Sequence, residues 1–188
     1  MRKLKLQMQF SLDGLVVTAG RGGATYWDNE MESFSIDNLK NVDCILLGRK
    51  TAEGFIPYWK RVASNPEDSL YKLGKPLTDI PKVIFSNKLK ASKWDNATLV
   101  KGNFVEEIKS LKRKKGKDII VYGGYSFVSS LIQHGLIDEF YLLVDPVAVG
   151  GGKPFIKSLR SSLQLTLLKC KPFPCGTVLL CYRNRNKP

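Results

Sequence analysis

Leu4, Leu6, Met8 and Phe10 alternate with Lys5, Gln7 and Gln9, the period-two pattern of a strand with one buried face. Ser11-Leu12-Asp13-Gly14 then turns the chain. The Gly-rich stretch Ala19-Gly20-Arg21-Gly22-Gly23-Ala24 has no apolar period and reads as a mobile loop. A helix is expected over about Asn29–Leu39. Apolar runs at Cys44–Leu47, Lys82–Phe85, Ala97–Val100 and Ile119–Tyr122 read as strands. A helix opening near Asn103 carries Val105, Ile108 and Leu111 as its apolar stripe, and Gly116 is expected to stop it. Another spans Ser126–Gln133, with His134, next to Gly135, as a C-terminal cap residue. A strand at Glu139–Val144 and two late strands, Gln164–Lys169 and Gly176–Arg183, complete the pattern. Strand–helix alternation ending in a strand pair predicts an α/β protein with a mixed, mostly parallel central sheet, flanking helices and an antiparallel C-terminal hairpin. Nothing repeats, and residues 1–188 are expected to form one domain.

With 43% hydrophobic residues in 188, the composition is too apolar for disorder. No apolar run approaches the ~20 residues of a membrane helix, and Met1-Arg2-Lys3-Leu4 lacks a signal-peptide core. A cytoplasmic protein with no membrane partner is expected. Cys44, Cys170, Cys175 and Cys181 include no CxxC pair and have only His134 for company, so reduced structural thiols are expected and no metal site. The formal charge of +13 raises the question of nucleic acid. Its densest run, Lys109, Lys112, Arg113, Lys114, Lys115 and Lys117, falls at a helix C-terminus, where the macrodipole favours cations, and reads as a solvated helix end. Arg183, Arg185 and Lys187 read as a frayed tail. No helix-turn-helix, zinc finger or aromatic platform is present in the sequence, so no specific nucleic-acid partner is expected. The same charge suits a small polyanion.

Candidate chemistry gathers where glycines follow strands. Leu47-Gly48-Arg49-Lys50-Thr51 puts a close-approach residue before cationic and hydroxyl side chains. Val121-Tyr122-Gly123-Gly124-Tyr125-Ser126 repeats the arrangement as strand, Gly pair and helix, and Phe85-Ser86-Asn87-Lys88 closes a third strand with phosphate-competent groups. No GxGxxG follows the first strand, which disfavours a standard Rossmann domain.

Together with Phe10-Ser11-Leu12-Asp13-Gly14, Phe55, Tyr58-Trp59, Leu136-Ile137-Asp138-Glu139 and Pro146 with Gly150-Gly151-Gly152-Lys153-Pro154-Phe155, these motifs resemble the dihydrofolate reductase-like superfamily. The match is nearest to stand-alone relatives of the riboflavin-biosynthesis reductase domain, RibD, and runs from about Lys3 to Phe155. The resemblance implies a DHFR-like fold and an NADPH-dependent reductase of a small heterocycle or carbonyl, pterin-like or riboflavin-precursor-like. It implies that Gly48, Arg49, Lys50 and Thr51 hold the cofactor, with Arg49 facing the adenosine 2′-phosphate and Thr51 the pyrophosphate. Ser86, Asn87 and Lys88 would complete the phosphate pocket, and Gly123, Gly124, Tyr125, Ser126 and Phe127 would cradle the pyrophosphate from the other side. It further implies a homodimer.

Hydride transfer needs a proton as well. Glu32 shares the helical stripe of Asp28, Ile36 and Leu39 and falls near the acidic position of dihydrofolate reductases; Asp13 is the other candidate, expected in the pocket near the nicotinamide. The stretch Thr18–Trp27 departs from the Trp-containing loop of true dihydrofolate reductases, which argues against folate, and the zinc deaminase signature of the bifunctional riboflavin enzyme is missing from the sequence. The alternative is a non-catalytic nucleotide- or nucleic-acid-binding protein on the same fold.

Overall fold

The computed structural model describes residues 1–16, 26–156, 159 and 161–185. The Gly-rich stretch 19–24, most of the stretch 18–27 and Lys187 lie outside the described residues. Eight strands form one sheet: β1 (Leu4–Ser11), β2 (Val42–Gly48), β3 (Lys82–Phe85), β4 (Ala97–Val100), β5 (Asp118–Gly123), β6 (Glu139–Asp145), β7 (Leu165–Pro172) and β8 (Val178–Asn184). Their spatial order is β4-β3-β2-β5-β1-β6-β8-β7. Neighbours from β4 through β6 are parallel, and β8 pairs antiparallel with both β6 and β7. The fold is therefore the α/β architecture that the patterning predicts, a mixed, mostly parallel sheet with flanking helices and an antiparallel C-terminal strand pair.

Helices cover both faces. α4 (Phe104–Arg113) and α5 (Tyr125–Gln133) bury Ile108, Leu111, Val128 and Leu131 against Leu4, Leu6, Leu46 and Val121. On the other face α1 (Asn29–Leu39), α2 (Arg49–Ala63) and α3 (Tyr71–Asp79) bring Leu39, Ala52, Leu73 and Leu77 onto Ile45, Leu47 and Ile120. Asp28 starts α1 by accepting the Met31 N–H at 2.9 Å. Helices α2 and α3 are not announced by the sequence pattern, because each carries an internal proline, Pro57 or Pro76, that removes a backbone donor. Gly74 lets the two meet closely: a Cβ there would stand 2.7 Å from Val62 Cγ1.

Four local expectations need correction. β1 lies fifth of the eight strands, so its polar side is covered; Lys5 and Gln7 are buried, Lys5 pairs with Asp118 at 3.0 Å, and Gln7 Nε2 donates to Ser35 Oγ at 3.1 Å. Lys112 is not part of a solvated helix end, being 4% exposed and paired with Asp138 at 2.5 Å while donating to the Leu136 carbonyl. Helix α4 ends at Arg113 with an extended Lys114, and Gly116 sits beyond it, where a side chain would strike Asp43 and Arg2. Arg183 belongs to β8, opposite Glu139, and Arg185 donates its backbone N–H to Gln164, so neither is a frayed tail. His134 does close α5, with Gly135 at φ 60° behind it.

Asp138 also accepts the Leu4 N–H at 2.7 Å, so the Lys112 pair ties α4 to the start of β1. Removing one member of a buried ion pair leaves an uncompensated charge, and Lys112→Met is expected to destabilise the fold by about 3–5 kcal/mol in urea denaturation. An unchanged midpoint would show that the pair carries no stability.

Candidate active site

Ligands of open parallel sheets bind beyond the carboxyl ends of the strands, where connections part to opposite sides. Here β1 leads across to β2, β5 returns between them, and β6 is added on the far side of β1. The carboxyl ends of β2 and β5 carry Gly48 and Gly123, and helices α2 and α5 spring directly from Gly48 and Gly124. Neither helix start has a side-chain cap, so their first N–H groups await an acceptor. The two starts converge. A Cβ on Gly48 would lie 3.5 Å from Gly124 N, and one on Gly124 would lie 2.7 Å from Thr51 Oγ1. The Gly123–Gly124 peptide is cis. Two uncapped helix starts side by side present N–H donors of the kind that suit an anion.

The cationic side chains stand around this cradle. Arg49, in the first turn of α2, gives Nη1 to both oxygens of Glu53 at 2.9 and 3.0 Å, and Lys50 is exposed beside it. Ser86 Oγ accepts the backbone N–H of Lys88 and Leu89, and Asn87 Oδ1 accepts that of Gly102, so these two side chains shape the loop after β3; Lys88 is exposed. Phe127 packs against Phe85, with ring centres 4.9 Å apart, and touches the Gly48 position, which fixes α5 to β3 and β2. Ser126 is exposed in the first turn of α5, and Tyr125 opens that helix. A cation not singled out in the sequence, Lys153, stands 4.6 Å from the centre of the Tyr125 ring. Its signal was the Gly150–Pro154 turn, which folds back to bridge Leu15 with Pro154.

Next to the cradle lies a cavity of about 260 Å³ between the sheet and helices α1, α2 and α3. Tyr122, which lines it, precedes Gly123; Phe55, one helical turn after Thr51, stacks on Tyr122 at 5.6 Å. Its remaining apolar wall includes Trp27, Trp59, Leu73 and Leu77, and its polar wall is Gln7, Gln9 and Ser35. Gln9 Nε2 donates to Asp145 Oδ1 and Oδ2 at 2.8 and 3.0 Å and to the Tyr26 carbonyl. Asp145 is fully buried, its carboxyl pushed above the usual range by desolvation, and Thr177 Oγ1 also donates to it. The indole Nε1 of Trp27 and the hydroxyl of Tyr122 are buried without a partner among the described residues; burial pushes that hydroxyl above the ordinary phenol range. Sequence reasoning missed Gln7, Gln9, Trp27 and Tyr122 as wall residues, and only the alternation of β1 marked the two glutamines as sharing a face.

The structure separates the two candidate carboxylates. Glu32, in the first turn of α1, is half-buried and its Oε1 is buried with no hydrogen-bond partner; Ser35, one turn on along the same helix side, lines the cavity. An orphan carboxylate oxygen of this kind is expensive to leave unmade and is aimed for a donor. Asp13 is exposed, and neither it nor Glu32 is itself among the residues lining the cavity. It accepts from Ser11 Oγ at 2.5 Å and from the backbone N–H of Val149 and Gly150, and these bonds, Ser11 first, hold its carboxyl below the usual range. Its role here is to pin the 149–150 turn to the end of β1.

The mostly parallel eight-stranded sheet with its antiparallel C-terminal strands is a dihydrofolate reductase-like fold. The family model described as the RibD C-terminal domain matches residues 2–179, and the chain belongs to that family. It is 34% identical to the uncharacterised protein YyaP of Bacillus subtilis (strain 168), over 96% of this chain and 94% of that one. Among solved structures it resembles a putative riboflavin biosynthesis protein from Shewanella sp. PV-4, at 20% identity and a TM-score of 0.76 over 97% of this chain and 99% of that chain. It also resembles dihydrofolate reductase from Enterococcus faecalis complexed with NADP(H), at 16% identity and a TM-score of 0.63 over 97% and 96% of the two chains. A bifunctional deaminase and 5-amino-6-(5-phosphoribosylamino)uracil reductase from Thermotoga maritima matches at 14% identity and a TM-score of 0.67, over 97% of this chain but 56% of that one. Family and fold are those of reductases. No helix among the described residues is long and apolar enough to cross a membrane.

The tight seam can be tested by itself. Gly124 has φ −78°, so alanine meets no backbone penalty there and only the Thr51 hydroxyl stands in its way. Gly124→Ala is expected to destabilise by about 1–3 kcal/mol, and adding Thr51→Ala should recover part of that, a coupling of roughly 0.5 kcal/mol or more in a double-mutant cycle. Additive losses would contradict the contact.

Proposed function

We propose that this chain is an NADPH-dependent reductase that passes a hydride to a C=N or C=O carbon of a small heterocycle or carbonyl compound, acting as a single 1–188 domain in the cytoplasm and as a homodimer. The observation that carries the reading is the pair of uncapped, convergent helix starts at Gly48 and Gly124, set against a cavity beside which Glu32 keeps an unpartnered buried oxygen. The cofactor fits this chain because a diphosphate would receive N–H groups that have no side-chain cap, at glycines that keep the backbone open to close approach, one of which, Gly124, has no room for a Cβ beside Thr51. When bound, NADPH supplies the hydride.

The remaining work belongs to the chain. The starts of α2 and α5 bind the diphosphate, with Thr51 beside Gly124 as a hydroxyl partner. Arg49, by exchanging Glu53 for a phosphate, binds the 2′-phosphate bidentately, and Lys50, Lys88 and Lys153 add positive field. Trp27, Phe55, Trp59 and Tyr122 exclude water and sandwich a flat ring, while the donors on Trp27 and Tyr122 orient its polar edge. Glu32 Oε1 accepts a ring N–H or a water and relays the proton that must accompany the hydride. A pyrimidine-like or pterin-like ring is the substrate class in keeping with the reductases of similar fold, and the aromatic wall of the cavity supports it.

Two outcomes test the reading. Arg49→Ala is expected to weaken NADPH binding by about 10- to 150-fold, the equivalent of a charge-assisted hydrogen bond, while NADH affinity barely changes; equal losses for both would assign Arg49 to the loop or the diphosphate. Glu32→Gln is expected to lower kcat by on the order of 100-fold on a substrate found by panel screening, with NADPH affinity preserved. Unchanged turnover would remove Glu32 from proton transfer.

A further inference from the structure

At the opposite end of β3 from the cradle, a second cavity of about 170 Å³ opens between α2, α3 and the segment before β4. Two indoles, Trp59 and Trp94, and the side chains of Ile56 and Leu77 give it flat apolar walls. Into this setting the chain puts Lys82, the first residue of β3, with only 3% of its surface exposed. Its Nζ donates to the Thr78 carbonyl at 2.5 Å, an uncharged acceptor that also receives Asn96 Nδ2 at 3.2 Å. An ammonium has three donors, and no carboxylate is within ion-pair distance of this one among the described residues. Thr78 Oγ1, on the same wall, is buried and has no hydrogen-bond partner. A buried cation without a counter-ion, beside an unused hydroxyl, is a costly arrangement that an anionic ligand would relieve.

We propose that this cavity is a second ligand site, and that it takes a small planar aromatic carboxylate: the ring between Trp59 and Trp94, the carboxylate on Lys82 and Thr78 Oγ1. The charged groups around it, three lysines against two carboxylates, favour a single negative charge. Lys60 of α2 and Lys93 stand at the mouth with Asp95, and Asp79, at the end of α3, acts on Lys82 from outside the cavity. The balance is positive, but two carboxylates nearby oppose a dianion. The volume suits one ring and not a nucleotide. Trp59 and Leu77 also line the larger cavity, so one indole forms a shared wall between the two. The inference stands apart from the reductase reading in using no residue of the diphosphate cradle and neither Glu32 nor Arg49, and it shares with that reading only the wall formed by Trp59 and Leu77.

Calorimetric titration of the whole chain with benzoate, and with benzamide as the uncharged isostere, tests it. Saturable one-to-one binding of benzoate is expected, with benzamide weaker by roughly tenfold or more. Lys82→Met should remove benzoate binding, Trp94→Ala should weaken it, and Trp27→Ala, which alters only the larger cavity, should leave it unchanged. Burial lowers Lys82 to about 8, so benzoate affinity should fall as pH rises through that value and the ammonium is lost. Equal binding of benzamide, no saturable binding, or loss of binding in Trp27→Ala with retention in Trp94→Ala would overturn the proposal. The ligand comparison and the two Trp variants decide it even where Lys82→Met does not fold.

Discussion

At the seam between β2 and β5 one position, Gly124, leaves no space for a side chain beside Thr51. Both strands end in glycine, both continue directly into a helix, and the two helix starts stand so close that a Cβ on Gly124 would press on Thr51. That closeness aims two sets of free N–H groups at one point. It also fixes the rest of the site: Tyr122 reaches the larger cavity because it comes one residue before Gly123, and Phe55 does so because it lies one turn beyond Thr51. The cradle and the cavity are thus two consequences of one parallel strand pair, with α1 delivering Glu32 from the next connection.

Electrostatics are organised around this frame in an uneven way. The chain carries 30 Lys and Arg against 17 Asp and Glu, yet several lysines are buried rather than solvated. Lys5 pairs with Asp118 and Lys112 with Asp138, each joining a neighbouring element to β1. Lys82 is the exception, buried against a carbonyl with no carboxylate partner in ion-pair reach among the described residues. Around the cradle the cations stay exposed or lightly engaged, as Arg49 is by Glu53, which leaves them available to an anionic ligand. Positive charge therefore serves structure at the strand beginnings, and at the strand ends the proposed function gives it an anionic ligand to attract.

Much of the sheet was legible because buried parallel strands read as short apolar runs; β3 and β4 match their expected bounds, and the helix expected near Asn103 starts there, whereas Asp28, read as part of a helical stripe, is the cap of α1. Helices α2 and α3 were not legible, since Pro57, Gly54, Gly74 and Pro76 interrupt the helical signal and tertiary packing overrides it. Glycines after strands announced the cradle, but the use made of polar side chains was hidden. Nothing local says that Asp13 spends its carboxylate on Val149 and Gly150, or that Gln9 rests on a buried Asp145, because both partners lie more than 130 residues away in the chain. For the same reason the alternation of β1 suggested a solvated face where α1 in fact covers Gln7.

The most direct test of the account is a fluorescence titration of the unmodified chain with NADPH at low and at raised salt. A site built from oriented N–H groups and a shaped cavity predicts saturable binding at one site per chain, micromolar or tighter, that persists with added salt and is displaced by NADP+. Weak, unsaturable binding that vanishes as salt rises would mean that the excess positive charge alone attracts the dinucleotide, and would contradict the cradle at Gly48 and Gly124.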